Sequence, residues 1–161
     1  LTWKANKLGY HAKVINSGRY VNDSMGAYVG KQCVKRLLEA GVNPLESRVL
    51  ILGVTFKENV SDIRNSKVFD VIRELKSFNV ETDVVDPWAS AEQVQREYGV
   101  AMIDQAASGS YDAIISAVNH EEYVAYGAED LKRLFRLDPG VLIDVKGMFR
   151  NISGQFNYWS L

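Results

Sequence analysis

The sequence predicts an α/β fold, a doubly wound and mostly parallel sheet preceded by a long connecting helix. Three observations point there. Apolar runs such as Val49-Leu-Ile-Leu and Ala113-Ile-Ile suit strands buried on both faces, as in a parallel sheet. Helical segments separate these runs, and strands alternating with helices of this size imply right-handed βαβ units. Ahead of them, a proline-free stretch from about Ala12 to Ala40 carries apolar residues at helical spacing.

In that first helix, Val14, Val21, Met25, Val29, Cys33 and Leu37 mark the apolar positions, with Gly41 as the stop and Pro44 just beyond it. Such a helix spans roughly 40 Å, more than a small domain needs. Gly18, Gly26 and Gly30 lower helix propensity but admit a second backbone closely. The expectation is a helix that packs outside its own domain, against a partner subunit in a homodimer. The alternative is a helix lying along its own sheet. The chain then divides into 1–43, a central helix region serving dimerisation, and 44–161, a ligand-binding domain.

Beyond Pro44, strands are predicted at Val49–Val54, Glu81–Asp86, Ala113–Val118 and Val141–Val145, with a weaker one at Val100–Ile103. Helices are predicted at Ser66–Phe78, Ser90–Tyr98 and Glu129–Arg136. In the first of these, Val68, Val71, Ile72 and Leu75 form one apolar face. The tail Asn151–Leu161 is aromatic without clear periodicity; Phe156, Tyr158 and Trp159 either fold back on the domain or mark a contact surface.

Composition narrows the function. With 161 residues, 47% apolar and 24% charged, the chain has room for a single real core. A net charge of -1 and no Lys/Arg cluster exclude a nucleic-acid-coating surface. No apolar run approaches the roughly 20 residues of a membrane-spanning helix, and no signal peptide is visible, so a cytoplasmic protein is expected. Cys33 is the single cysteine, in a helical segment, and a buried packing thiol fits better than a nucleophile. The first residue is Leu1 rather than Met, and the expectation is a piece of a longer protein.

Chemistry concentrates where strands end. After Val49–Val54 comes a polar loop with Lys57, Asp62 and Arg64, followed by Asn65 or Ser66 as a cap for the next helix. In open α/β sheets ligands bind outside the carboxyl ends of the strands, and cations there suit the phosphates of a nucleotide. An ordinary strand-to-helix loop with solvated charges explains the same residues. A dinucleotide site would need Gly-x-Gly-x-x-Gly, but the chain reads Gly53-Val-Thr-Phe-Lys-Glu, so the domain is Rossmann-like in shape without that fingerprint. Asp86, followed by Pro87, stands where a ribose-binding acid would sit, although turn chemistry explains it better. Asn119 and His120 follow the next strand; a capping Asn119 and a surface His120 are expected over a ligand role. Lys146, after Asp144, shares the Lys57 edge and adds to the case for an anionic ligand. His11 and His120 lie far apart, and no metal-ligand spacing, Walker loop or nucleophile elbow is present.

These motifs together resemble the carboxyl-terminal half of the UDP-glucose/GDP-mannose dehydrogenases. Leu1-Thr-Trp-Lys resembles the sequence just after the family's catalytic Cys motif, and Gly18–Met25 resembles the end of its central, dimer-building helix. Gly53-Val-Thr-Phe-Lys…Asp62-Ile-Arg-Asn-Ser66 resembles its Gly-x-x-Phe-Lys…Asp-x-Arg-x-Ser motif, with Asp86-Pro87, Asn119-His120 and Asp144-Val-Lys146-Gly147 at the expected intervals. The resemblance implies a full enzyme that oxidises the sugar C6 alcohol of a nucleotide sugar to a carboxylate with two NAD. The NAD-binding amino-terminal domain and the catalytic thiol would lie outside this chain, and Cys33 is in the wrong motif to be that thiol. It also implies Phe56 and Lys57 at the UDP-sugar, Arg64 near NAD and Lys146 at the substrate, where relatives often carry Arg.

The wording Val60-Ser-Asp-Ile-Arg-Asn-Ser-Lys departs from the glucose and mannose types and looks like the group acting on UDP-N-acetylglucosamine or UDP-N-acetylgalactosamine for surface polysaccharide. A UDP-glucose or GDP-mannose 6-dehydrogenase domain is the nearer alternative. The more distant one is a non-enzymatic α/β interaction or receiver-type module, with Asp86 and Asp144 as its acids.

Overall fold

The computed structural model describes residues 13–161. Leu1-Thr-Trp-Lys and His11 lie outside the described residues. A helix, α1 (Lys13–Glu39), leads through a 3-10 turn (Pro44–Glu46) into β1 (Arg48–Leu52). There follow α2 (Val68–Ser77), β2 (Glu81–Val85), α3 (Ala91–Tyr98), β3 (Ala113–Ser116), α4 (Glu121–Val124), α5 (Ala128–Lys132), β4 (Val141–Asp144), a second 3-10 turn (Arg150–Gln155) and β5 (Asn157–Ser160). The strands form one sheet in the order β2-β1-β3-β4-β5, every neighbouring pair parallel.

The strands are buried on both faces, which is why their sequences read as unbroken apolar runs. Along β1, Val49 and Ile51 enter a core layer shared with α1, α2 and α3, while Leu50 and Leu52 enter a second layer with Tyr111, Tyr123, Leu131 and Phe149. Two helix ends follow their sequence signals, whereas α2 begins at Val68 with Lys67, not Asn65 or Ser66, at its cap position and no side-chain cap. Ser90 Oγ accepts from Gln93 N at the start of α3, and Gly41 stops α1 with φ +76°. Glu121 and Glu122 fill the first turn of α4, where the helix dipole favours acids.

Three expectations change. Val100–Ile103 is not a strand, and its link to the sheet is one bond from Ile103 N to Val84 O at 2.9 Å. The tail instead supplies a fifth strand: β5 pairs with β4 from Asn157 opposite Val141 to Ser160 opposite Asp144. Its side chains are half-buried rather than alternating, so no period-2 signal exists to read. Finally, two of the three glycines of α1, Gly26 and Gly30, meet their own domain. A Cβ on Gly26 would lie 2.5 Å from Asp70 Cβ and 2.9 Å from Lys67 O, and one on Gly30 would lie 2.8 Å from Glu74 Cβ, so these glycines let α1 close on α2. Val29, Cys33, Val34 and Leu37 are buried in the core layer, and burial pushes the Cys33 thiol up to about 12. Toward the amino end of α1, Tyr20 and Val21 are exposed.

Candidate functional site

The strand order changes direction between β1 and β3, and the loops after these two strands flank a crevice at the carboxyl edge of the sheet, where open α/β sheets hold ligands. Gly53 begins the first loop at φ +88°, with its α-carbon against Val118 of the second; a Cβ there would come within 2.6 Å of Val118 Cβ. Glycine is required at this contact for both reasons.

Asp86, directly after β2, organises the first loop. Its Oδ2 accepts from Val54 N at 2.6 Å and Thr55 N at 3.2 Å, and its Oδ1 accepts from Trp88 N and Ala89 N. Burial pushes this carboxyl up, but the His120 bond and the backbone N–H groups outweigh it and hold it below the usual carboxylate range. Turn chemistry at Asp86 is thus confirmed, and its reach extends to the neighbouring strand's loop.

His120 is not a surface residue: its side chain is completely buried. Its Nδ1 lies 2.9 Å from Asn59 N, and its Nε2 lies 3.1 Å from both Thr55 Oγ1 and Asp86 Oδ2. Sequence reasoning missed this because the partners are 34 to 65 positions away and no local pattern marks them. Asn119 caps no helix; His120 holds the cap position of α4, and Asn119 Oδ1 is buried without a hydrogen-bond partner.

A cleft of about 300 Å³ opens beside this edge, between α1, the start of α2 and the loops after β1 and β4. Met25, Val29 and Val71 contribute an apolar wall, and Phe56, Lys67 and Lys146 stand among its other lining residues. Phe56 is 50% exposed there, a planar apolar surface facing solvent. The Lys57 ammonium lies 5.8 Å from the Phe56 ring centroid, and among the described residues it has no carboxylate partner. Lys57 does not itself line the cleft. The structure thus brings Lys57, Phe56 and Lys146 to one edge, with Arg64 on the same loop but outside the cleft lining.

The other cations of this edge are paired. Lys146 bonds to Glu58, whose carboxyl is drawn below its ordinary value chiefly by that bond. Arg64 is exposed and grips Asp62 with two bonds of 2.9 Å, lowering that carboxyl to about 2. Lys67, which the motif reading passed over, reaches Asp23 at 2.7 Å and Asp70 at 3.6 Å. Asp144, at the end of β4, is fully buried and accepts from Met148 N, Phe149 N and Tyr158 Oη, which fixes the turn bearing Lys146.

The crevice departs from a dinucleotide site. The pyrophosphate of a dinucleotide needs bare backbone where Thr55 and Phe56 stand, and the acid that would bind its ribose, Asp86, has both oxygens occupied by protein donors. The same occupancy holds for Asp144 and denies a receiver-type Mg²⁺ site its two acids. Among the described residues no cluster of three or more His, Cys, Asp or Glu residues is arranged to hold a metal, and no helix is long and apolar enough to cross a membrane.

The family profile described as UDP-glucose/GDP-mannose dehydrogenase family, UDP binding domain, matches residues 50–151. Over 146 residues the chain is 47% identical to the UDP-N-acetyl-D-glucosamine 6-dehydrogenase of Pseudomonas aeruginosa and 46% identical to that of Salmonella typhi. Each alignment covers 91% of this chain and 34% of the relative, so the chain spans about a third of the length of the curated relatives it matches. The solved UDP-D-ManNAc dehydrogenase of Pyrococcus horikoshii superposes with a TM-score of 0.82 at 20% identity, covering 97% of this chain and 35% of that one; this is a likeness of fold. With the profile spanning β1 through the turn that bears Lys146, the chain belongs to the UDP-glucose/GDP-mannose dehydrogenase family and carries its UDP-binding domain.

Proposed function

We propose that this chain is the nucleotide-sugar-binding part of an NAD-dependent UDP-N-acetylhexosamine 6-dehydrogenase, which oxidises the sugar C6 alcohol to a carboxylate in a four-electron reaction. The observation that carries the reading is the cleft at the carboxyl edge, with Phe56 and Lys146 in its lining and Lys57 beside it. Phe56 offers a face to the uracil or sugar, and the two ammonium groups offer charge to the diphosphate. The names of the two relatives, both UDP-N-acetyl-D-glucosamine 6-dehydrogenases, support the N-acetylhexosamine substrate.

The redox chemistry belongs to another part of the enzyme. Cys33 is buried with its thiol pushed up to about 12, which withholds the thiolate a covalent step needs. NAD would be held by an amino-terminal domain outside this chain, with exposed Arg64 turned from Asp62 toward it. The upper half of α1, with Tyr20 and Val21 exposed, would serve a homodimer. Surface-polysaccharide synthesis in the cytoplasm is the setting this activity fits.

Titrating the isotope-labelled chain with UDP tests the site. Amide shifts are expected in residues 56–64 and around Lys146, with no NADH formed when UDP-N-acetylglucosamine and NAD are supplied. Unperturbed residues 56–64 would count against the site, and NADH formation would show that the chemistry resides here after all.

A further inference from the structure

His120 does not line the cleft, yet it bonds to Thr55 and Asn59, the residues on either side of the Phe56–Glu58 stretch of the loop. Its hydrogens follow from its neighbours. The Lys57 carbonyl can only accept, so Thr55 Oγ1 donates to it at 2.9 Å and keeps its lone pairs for the imidazole. The Asn59 backbone N can only donate, so Nδ1 must accept. One neutral tautomer meets both conditions, with its hydrogen on Nε2 and shared between Thr55 Oγ1 and Asp86 Oδ2. Asn59, held at φ 56°, also accepts through Oδ1 from Glu121 N, which ties the loop to the start of α4. The ring itself is fixed by Tyr123, edge-on at 5.7 Å, and Trp88, near-parallel at 6.4 Å.

We propose that His120 is a positioning residue for the nucleotide-sugar site: through its Nε2–H tautomer it fixes the backbone of residues 54–59, and so the places of Phe56 and Lys57, without touching the ligand. The inference rests on the reading of the cleft given above. Phe56 and Lys57 lie between two residues bonded to this one ring, Thr55 through Oγ1 and Asn59 through its backbone N, with Phe56 N donating separately to Asp62 O at 2.7 Å. Removing the ring frees Thr55 Oγ1 and Asn59 N together, and the two ligand-facing side chains lose a common reference.

The test uses the whole 161-residue chain, with UDP as probe. Long-range ¹⁵N–¹H spectra of the imidazole are expected to show the Nε2–H tautomer. His120→Ala is expected to weaken UDP binding about tenfold and to displace the amide signals of residues 54–59. His120→Asn retains a carbonyl for Asn59 N and recovers part of that loss. Phe135→Leu, at the opposite edge of the sheet, lowers the melting temperature but leaves UDP affinity within about twofold, which separates positioning from stability. The Nδ1–H tautomer, a folded His120→Ala chain that binds UDP as the wild type does, or a Phe135→Leu chain weakened as much, would each overturn the inference alone. Should His120→Ala not fold, unchanged affinity and unmoved amides in His120→Asn would do the same. A wild-type chain that binds no UDP overturns the nucleotide reading and the inference with it.

Discussion

The two edges of the sheet handle buried charge in opposite ways. At the amino edge, carboxylates meet arginines: Asp112, almost fully buried, takes a two-pronged contact from Arg136 and a bond from Arg48 N. Beside it Asp83 takes Arg48 at 2.8 Å and Tyr111 Oη at 2.9 Å. At the carboxyl edge, Asp86 and Asp144 are satisfied by backbone N–H groups, a hydroxyl and a neutral imidazole. Cations are thus committed to the framework at one edge. At the other they stand on exposed loops, where an anionic ligand can compete for them. The difference teaches that acids buried near a binding site can shape loops without neutralising the site's positive charge.

Asp112→Ala should cost the most stability, about 3 kcal/mol, because it removes the two-pronged Arg136 contact and leaves the part-buried Arg48 N–H without its acceptor. Differential scanning calorimetry should show a melting temperature lower by roughly 10 °C, with UDP affinity little changed. A parallel loss of UDP binding would mean that the edges are not independent. Gly53→Ala comes next, at about 2 kcal/mol, since the new methyl meets Val118 and the positive φ disfavours alanine. Unlike the first variant, it should also weaken UDP binding, which urea unfolding and calorimetric titration measured together would reveal.

Lys57→Ala should lower UDP affinity about tenfold at unchanged melting temperature. Equal loss from Lys57→Arg would show that position rather than charge matters. Glu58→Gln acts in the other direction. It frees Lys146 from an exposed ion pair, so UDP affinity should rise about threefold, a gain absent from the Lys146→Ala background. Acid provides the finest comparison. Asp86 has a lowered folded-state pKa, so its contribution is complete above the ordinary carboxylate range and is lost as pH falls through the lowered value. The amides of residues 54–59 should follow that titration, while the Arg64 side-chain signals should follow Asp62, exposed and bonded to Arg64, which titrates near 2.

Much of this architecture was legible in the sequence because its causes are local. Val49–Leu52, Glu81–Val85, Ala113–Ser116 and Val141–Asp144 are strands where apolar runs placed them, and Ser90 and Gly41 mark helix ends by their own chemistry. The residues of the family motif, Phe56, Lys57 and Lys146, lie together at the carboxyl edge of the sheet. What escaped depends on distant partners. The burial of His120 follows from Thr55, Asn59 and Asp86, and the role of Asp144 from Tyr158 on a strand that itself had no periodic signature. The glycines of α1 announced a close approach, but nothing local distinguished a helix of the same domain from one of a partner subunit.

The seam between α1 and α2 sets what the cleft can do. Gly26 leaves no slack against Lys67 and Asp70, and the same helices bury Val29 and Val71 in the core. That side acts as the fixed jaw of a vise, because widening it would tear open the hydrophobic interior. On the proposed nucleotide-sugar reading, adjustment to differently shaped guests would fall to the opposing jaw, the side chains of Phe56 and Lys146.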